Sequence, residues 1–126
     1  MRLKFRQLPV SFAICRLPSH APIPECISSA PFASATRTAD ELSVVCPTDR
    51  APGNAKREGP WTCFKLRGPF PFSQTGVLAS FIAPLAAHGV PIFAISTFDT
   101  DYILVKEESA AMALKALQAA GHELIP

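Results

Sequence analysis

The sequence predicts an α+β fold of two βαββαβ units side by side. Each would be an antiparallel sheet with its helices on one face, and the first unit is incomplete. Three observations lead there: the order of apolar patterns after residue 60, a partial echo of that order before residue 50, and a proline- and glycine-bearing stretch between them. The expected units are residues 8–60, with the linker, and 61–126.

The second unit is read element by element. Trp61–Arg67 alternates and is rich in aromatic and β-branched residues, which suits a strand ended by Gly68-Pro69 and Pro71. Val77, Leu78, Phe81, Ile82 and Leu85 then recur at helical spacing. Ser73 or Thr75 is the expected N-cap and His88-Gly89 the stop. Pro84 lies inside this helix and removes the bond to the Ser80 carbonyl. Val90–Phe98 is a near-continuous apolar run, hence a central strand. Asp99-Thr100-Asp101 reads as a turn whose aspartates satisfy turn amides, and Tyr102–Val105 as the returning strand. A second helix over Glu107–Ala120 starts at Ser109 and stops at Gly121, and Glu123–Ile125 is a short last strand. This is the split βαβ arrangement of ferredoxin-like folds.

The first half repeats part of this order. Phe32–Val44 laid over Phe93–Val105, an offset of 61, matches Phe32, Ala33, Thr36, Asp40 and Val44 with identical residues. Phe12–Leu17 stands where Trp61–Arg67 stands. Pro18, Pro22, Pro24 and Pro31 leave room for one helical turn at Glu25–Ser28, so the first helix is eroded. Pro47–Pro60 is read as the linker.

Composition narrows the function classes. Of 126 residues, 48% are apolar and 17% charged, which excludes a disordered polyelectrolyte. A net charge of +2 is too small to drive binding to nucleic acid or an anionic membrane. Leu8–Cys15 follows a basic start but is interrupted by Pro9 and Ser11 and closed by Arg16. The basic start, Met1–Arg6, therefore reads as a ragged, positively charged leader before the first strand rather than the head of a secretory segment. The cysteines at 15, 26, 46 and 63 lack zinc-ligand spacing. Three of them sit in apolar strands, which fits reduced, buried thiols and a cytoplasmic protein.

Phe72–Ala79 (F-S-Q-T-G-V-L-A), Leu85–Val90 and Ile95–Tyr102 (I-S-T-F-D-T-D-Y) carry a resemblance to the ACT-domain family, the small amino-acid-sensing modules of metabolic enzymes. The chain resembles a subgroup of small stand-alone proteins similar to the tandem ACT modules of aspartate kinases and to the cytosolic arginine sensors. Thr36–Val45 also fits it. The resemblance implies a non-catalytic regulatory module and likeness to homodimers, with no cofactor and no metal. It implies a small ligand, an amino acid, at an interface between ACT units, and a separate regulated protein as partner. The implied ligand-binding residues are Ser73, Gln74, Thr75, Gly76 and Val77, faced by Ser96, Thr97, Phe98, Asp99 and Asp101.

The residues themselves offer matching chemistry. A helix N-terminus suits a carboxylate, Gly76 permits close approach, and Asp99 and Asp101 suit an ammonium. Competing readings are a helix cap and a hairpin turn with no ligand, which would make the chain a structural or dimerisation module. A small hydrolase is a further alternative. A Ser96/His88/Asp99 triad can be spelled out but has no G-x-S-x-G elbow. His20 and His122 fall in loop-like positions and are expected to be solvated. Arg37 interrupts an apolar strand, free to reach solvent or an acidic ligand group.

Overall fold

The computed structural model describes residues 1–126. The chain divides into two compact units: Val10–Trp61, and Met1–Pro9 together with Thr62–Pro126. No helix is long and apolar enough to cross a membrane.

In chain order the elements are β1 (Lys4–Gln7), β2 (Phe12–Leu17), α1 (Cys26–Ser29), β3 (Ser34–Arg37), β4 (Leu42–Pro47), β5 (Lys56–Leu66), α2 (Val77–Ala87), β6 (Ile92–Ser96), β7 (Asp101–Lys106), α3 (Ala110–Ala119) and β8 (Glu123–Leu124). Short 3-10 turns precede β5 at Thr48–Arg50 and α3 at Glu107–Ser109.

In the larger unit the strand order is β8-β1-β5-β7-β6. β6 and β7 form the expected hairpin, with Ile92 opposite Val105 and Ser96 opposite Asp101. On one face, alternate residues Phe64 and Leu66, and Ile103 and Val105, meet Val77, Phe81 and Leu85 of α2 and Ala113 and Leu117 of α3. A strand's two-residue period and a helix's three-to-four-residue period thus converge on one core.

Two expectations fail at the strand ends. The N-terminal stretch read as a ragged leader is β1, which pairs antiparallel with β5 (Phe5 opposite Leu66) and parallel with β8 (Lys4 opposite Glu123). Phe5 is fully buried and meets Phe64 and Phe81 edge-on, at centroid distances of 5.5 and 5.2 Å. The stretch read as a linker ends in strand: β5 begins at Lys56, and Arg57 and Glu58 pair with Cys15 and Ile14 of β2. Backbone pairing needs no apolar side chain on an exposed strand, so charge hid it.

His122 is a further correction. It is buried, not solvated. Its Nδ1 accepts the Leu3 N–H at 3.1 Å, and its Nε2 stands 3.2 Å from the Ser80 carbonyl. With Nδ1 accepting, the ring proton sits on Nε2 and points at Ser80. That carbonyl is the one Pro84 cannot serve.

The smaller unit holds β3, β4, β2 and the first part of β5 in that order. β2 pairs antiparallel with β4, Cys15 opposite Val44 and Leu17 opposite Leu42. α1 is a single turn, as the prolines imply. Ala13, Cys15, Leu17, Cys26, Leu42, Val44 and Cys46 form the core.

The hairpins of the two units recur, but not at the expected offset. Arg37 opposite Leu42 closes the first and Ser96 opposite Asp101 closes the second, an offset of 59 rather than 61. The 3-10 turns at Thr48 and Glu107 keep the same offset. The overlay at 61 would put the strand residue Thr36 on the loop residue Thr97, so its identities do not mark equivalent places.

All four cysteines are free and buried. Burial pushes the Cys63 thiol up to about 12. Burial also raises Cys46, helped by the neighbouring Cys26 and Cys15 thiols. Folding therefore favours the protonated thiol: this contribution is intact below the ordinary thiol range and fades as pH rises from there toward 12. Titration with an aromatic disulfide reagent at pH 8 should find no fast-reacting thiol in the native protein and four in denaturant. Phe5→Ala should cost about 3–5 kcal/mol in urea denaturation, since a fully buried aromatic side chain is removed.

Candidate functional site

The candidate site lies in the larger unit, where the loop between β5 and α2 meets the loop between β6 and β7. Gly68 lets them close. A Cβ there would lie 2.7 Å from the Asp99 carbonyl oxygen. The Phe70 N–H donates to that same carbonyl at 2.8 Å. Thr100 is buried, and its hydroxyl donates to the Leu66 carbonyl at 2.8 Å. Two loops are thus fixed to each other through backbone groups.

Threonine, not aspartate, holds the hairpin turn. The Thr97 N–H donates to the Thr100 carbonyl at 2.8 Å, and the Thr97 hydroxyl accepts the Thr100 N–H at 3.3 Å. Asp101 is used inside the hairpin, where its carboxylate accepts the Ser96 hydroxyl. Asp99 is left with its side chain exposed.

The helix entry also differs from expectation. Gly76, not Ser73 or Thr75, is the N-cap of α2, at φ 81°, and no side chain caps the helix. Glycine takes this left-handed bend without steric cost. The first bond into the helix is Ser80 N–H to the Gly76 carbonyl at 2.9 Å. The amides of Val77, Leu78 and Ala79 thus fall in the first turn, which has no intrahelical partner.

These loops border an open cavity of about 190 Å³. Gln74, Val77, Ser96, Thr97, Phe98, Asp99 and Asp101 line it, seven of the ten residues expected at the site. Ser73, Thr75 and Gly76 are exposed at the helix entry and do not line it. Phe70, Pro71, Phe72 and Thr100 line it as well and were missed. Phe72 stands in the F-S-Q-T-G motif and could have been found. Thr100 stands in the I-S-T-F-D-T-D-Y motif and acts through its hydroxyl, whereas Phe70 acts through its backbone N–H, which leaves no sequence pattern.

The lining has two characters. Asp99 and Asp101 bring carboxylates, and no lysine, arginine or histidine is among the lining residues. Phe72 and Phe98 are 76% and 79% exposed, and their rings meet nearly at right angles with centroids 4.9 Å apart. The volume is below the roughly 300 Å³ at which drug-sized pockets begin, so the space suits a small metabolite. A second cavity of about 190 Å³ lies against the same hairpin loop and adds Lys65, Gly68, Pro69 and Tyr102. There the Lys65 ammonium stands 5.8 Å from the Tyr102 ring centroid.

The split βαβ architecture of the larger unit defines its class as a ferredoxin-like α+β fold, with a small open cavity at a strand–helix corner. A family model described as ACT domain matches residues 56–119, so the chain belongs to the ACT-domain family. A second model, of an N-terminal domain, matches residues 10–54. The Cytosolic arginine sensor for mTORC1 subunit 1 of Homo sapiens is 34% identical over 59 residues, 46% of this chain and 18% of the sensor. The chain thus matches less than a fifth of that relative's length. A crystal structure of a protein from Agrobacterium tumefaciens is 42% identical, with a TM-score of 0.91 over 99% of this chain and 93% of that one. The regulatory subunit of aspartate kinase from Thermus flavus shares the fold, with a TM-score of 0.64 at 13% identity over 92% and 95% of the two chains.

Thr100→Val keeps the side-chain shape and removes the hydroxyl. It should cost about 1–3 kcal/mol by leaving the Leu66 carbonyl unsatisfied. Amide exchange at Phe70, whose bond depends on the same loop, should accelerate.

Proposed function

We infer that this chain is a non-catalytic regulatory module of the cytoplasm that binds a free amino acid in the cavity between the β5–α2 and β6–β7 loops. The observation that carries the reading is the convergence of two unlike partners on one small space. Val77, in the unpaired first turn of α2, lines the cavity where a carboxylate would be bound, and Asp99 and Asp101 line it where an ammonium would be bound. Ser73, Thr75 and Gly76, exposed at the helix entry and next in sequence to the lining residues Gln74 and Val77, are proposed as outer contacts of the ligand carboxylate. The two aspartates, with no lining cation, favour a ligand that carries a further positive charge, and aromatic edges and faces tolerate such a group. The likeness to arginine sensors points the same way.

The module works as a homodimer. A second copy covers the exposed Phe72–Phe98 pair and closes the cavity over the ligand. Binding then stabilises the closed assembly, and a separate regulated protein reads that shift.

The test is thermal unfolding against the twenty amino acids, with size-exclusion chromatography alongside. A ligand at 100 times its Kd should add about 2.7 kcal/mol and raise Tm by several degrees. Arginine and lysine should lead the panel, and Asp99→Asn should remove the response while leaving the unliganded Tm within about 2 °C. A flat panel with a stable dimer would favour a purely structural module.

A further inference from the structure

The two hairpins invite a comparison of what lies beside them. β2 and β5 hold the same place in their units, each next to the second strand of the hairpin. Ser96, the last residue of β6, lines the open cavity with Phe70, Pro71 and Phe72 from the loop after β5. At the equivalent place in the smaller unit stands Arg37, the last residue of β3. Its guanidinium turns onto the loop after β2. One terminal nitrogen donates to the Ser19 carbonyl, and the other donates to the Ala21 carbonyl at 2.8 Å.

The turn itself is the same in both. The Thr38 N–H donates to the Glu41 carbonyl at 2.9 Å, and the Thr38 hydroxyl accepts the Glu41 N–H at 3.1 Å. Asp40 falls where Asp99 falls. The Asp99 carbonyl takes a backbone amide, Phe70, whereas the Asp40 carbonyl takes the Arg16 guanidinium at 3.0 Å. One corner is thus left open beside two carboxylates, and at the other an exposed arginine of the same chain bridges the loop carbonyls.

We propose that Arg37 is a resident occupant: its solvent-exposed guanidinium bridges two loop carbonyls of the smaller unit, at the place equivalent to the open corner of the larger one, and removing it leaves a latent site for a small guanidinium compound. The site is the pair of loop carbonyls at Ser19 and Ala21. They are met by two different nitrogens of one planar group, which a compact ammonium cannot reproduce. The parallel to a cationic ligand in the larger unit rests on the function proposed above; the latent site does not.

The experiment uses the full chain and Arg37→Ser, which installs the residue found at the equivalent place, with methylguanidinium and methylammonium as probes. Arg37→Ser should unfold about 2–4 °C below the parent. Millimolar methylguanidinium should restore most of that loss in the variant and leave the parent unmoved, and methylammonium should restore neither. Calorimetry should count one more methylguanidinium site in the variant than in the parent. Arg37→Ala must behave alike, since it too leaves the carbonyls bare. An unchanged Tm in both variants, an equal response of variant and parent, or an equal effect of methylammonium overturns the proposal. Loss of amino-acid binding in Asp99→Asn bears on the larger unit alone, so the two readings fail separately.

Discussion

The larger unit depends on what is done with one backbone carbonyl. Pro84 has no N–H to give Ser80, and an unpaired carbonyl in a packed helix costs as much as a lost hydrogen bond. His122 answers it from 42 residues away, and its other ring nitrogen takes the Leu3 N–H. A single imidazole therefore ties the middle of α2 to the start of β1 and to the residue before β8. Ser80 adds a second tie, its hydroxyl donating to the Met1 carbonyl at 3.3 Å. A helix that would otherwise be weakened at its centre is locked where it meets the N-terminal strand.

That lock bears on the cavity because Val77, the first residue of α2, lines it. Its apolar face, Val77, Phe81 and Leu85, is held in the core, so the first turn cannot slide along the sheet. Gly76 bends the chain into that turn from outside the core, with nothing within 4 Å of the place a Cβ would take. The opposite wall is the hairpin turn, closed by Thr97 and pinned by Thr100. Rigid walls on both sides leave the side chains of Gln74, Phe98 and Asp99 as the exposed, adjustable parts. A scaffold held in this way would have little ordering left to do on binding.

Much of this was legible in the sequence, and the failures have a common cause. The end of β5, the α2 stripe and the β6–β7 hairpin show in their own residues, because each buries a regular apolar face. β1 does not: Phe5 is its one buried residue, flanked by lysine and arginine, and its place is fixed by pairing with a strand some sixty residues later. Lys56–Pro60 was hidden in the same way. His122 looked solvated because its partners are a carbonyl freed by Pro84 and an amide near the start of the chain. Seven of the ten expected site residues line the cavity, since motif residues cluster on two loops. Phe70 leaves no pattern because it acts through a backbone N–H, and Thr100, though inside the Ile95–Tyr102 motif, bonds a strand carbonyl that only the fold brings to it.

The two units show how one local geometry can be spent differently. Both hairpins close with the same threonine turn, and both follow a strand whose next-to-last residue is basic, Arg16 in β2 and Lys65 in β5. In the smaller unit Arg16 and Arg37 reach backbone carbonyls and the loops close on themselves. In the larger unit a serine replaces the second arginine, and an aromatic pair stands exposed at the mouth of the space left behind. A serine hydroxyl turned onto Asp101 cannot span that space, whereas a guanidinium on two carbonyls ties hairpin to loop from one residue. The side chain at the last position of one short strand is therefore one of the differences between the two corners, beside the shortened helix and the Arg16 contact of the smaller unit.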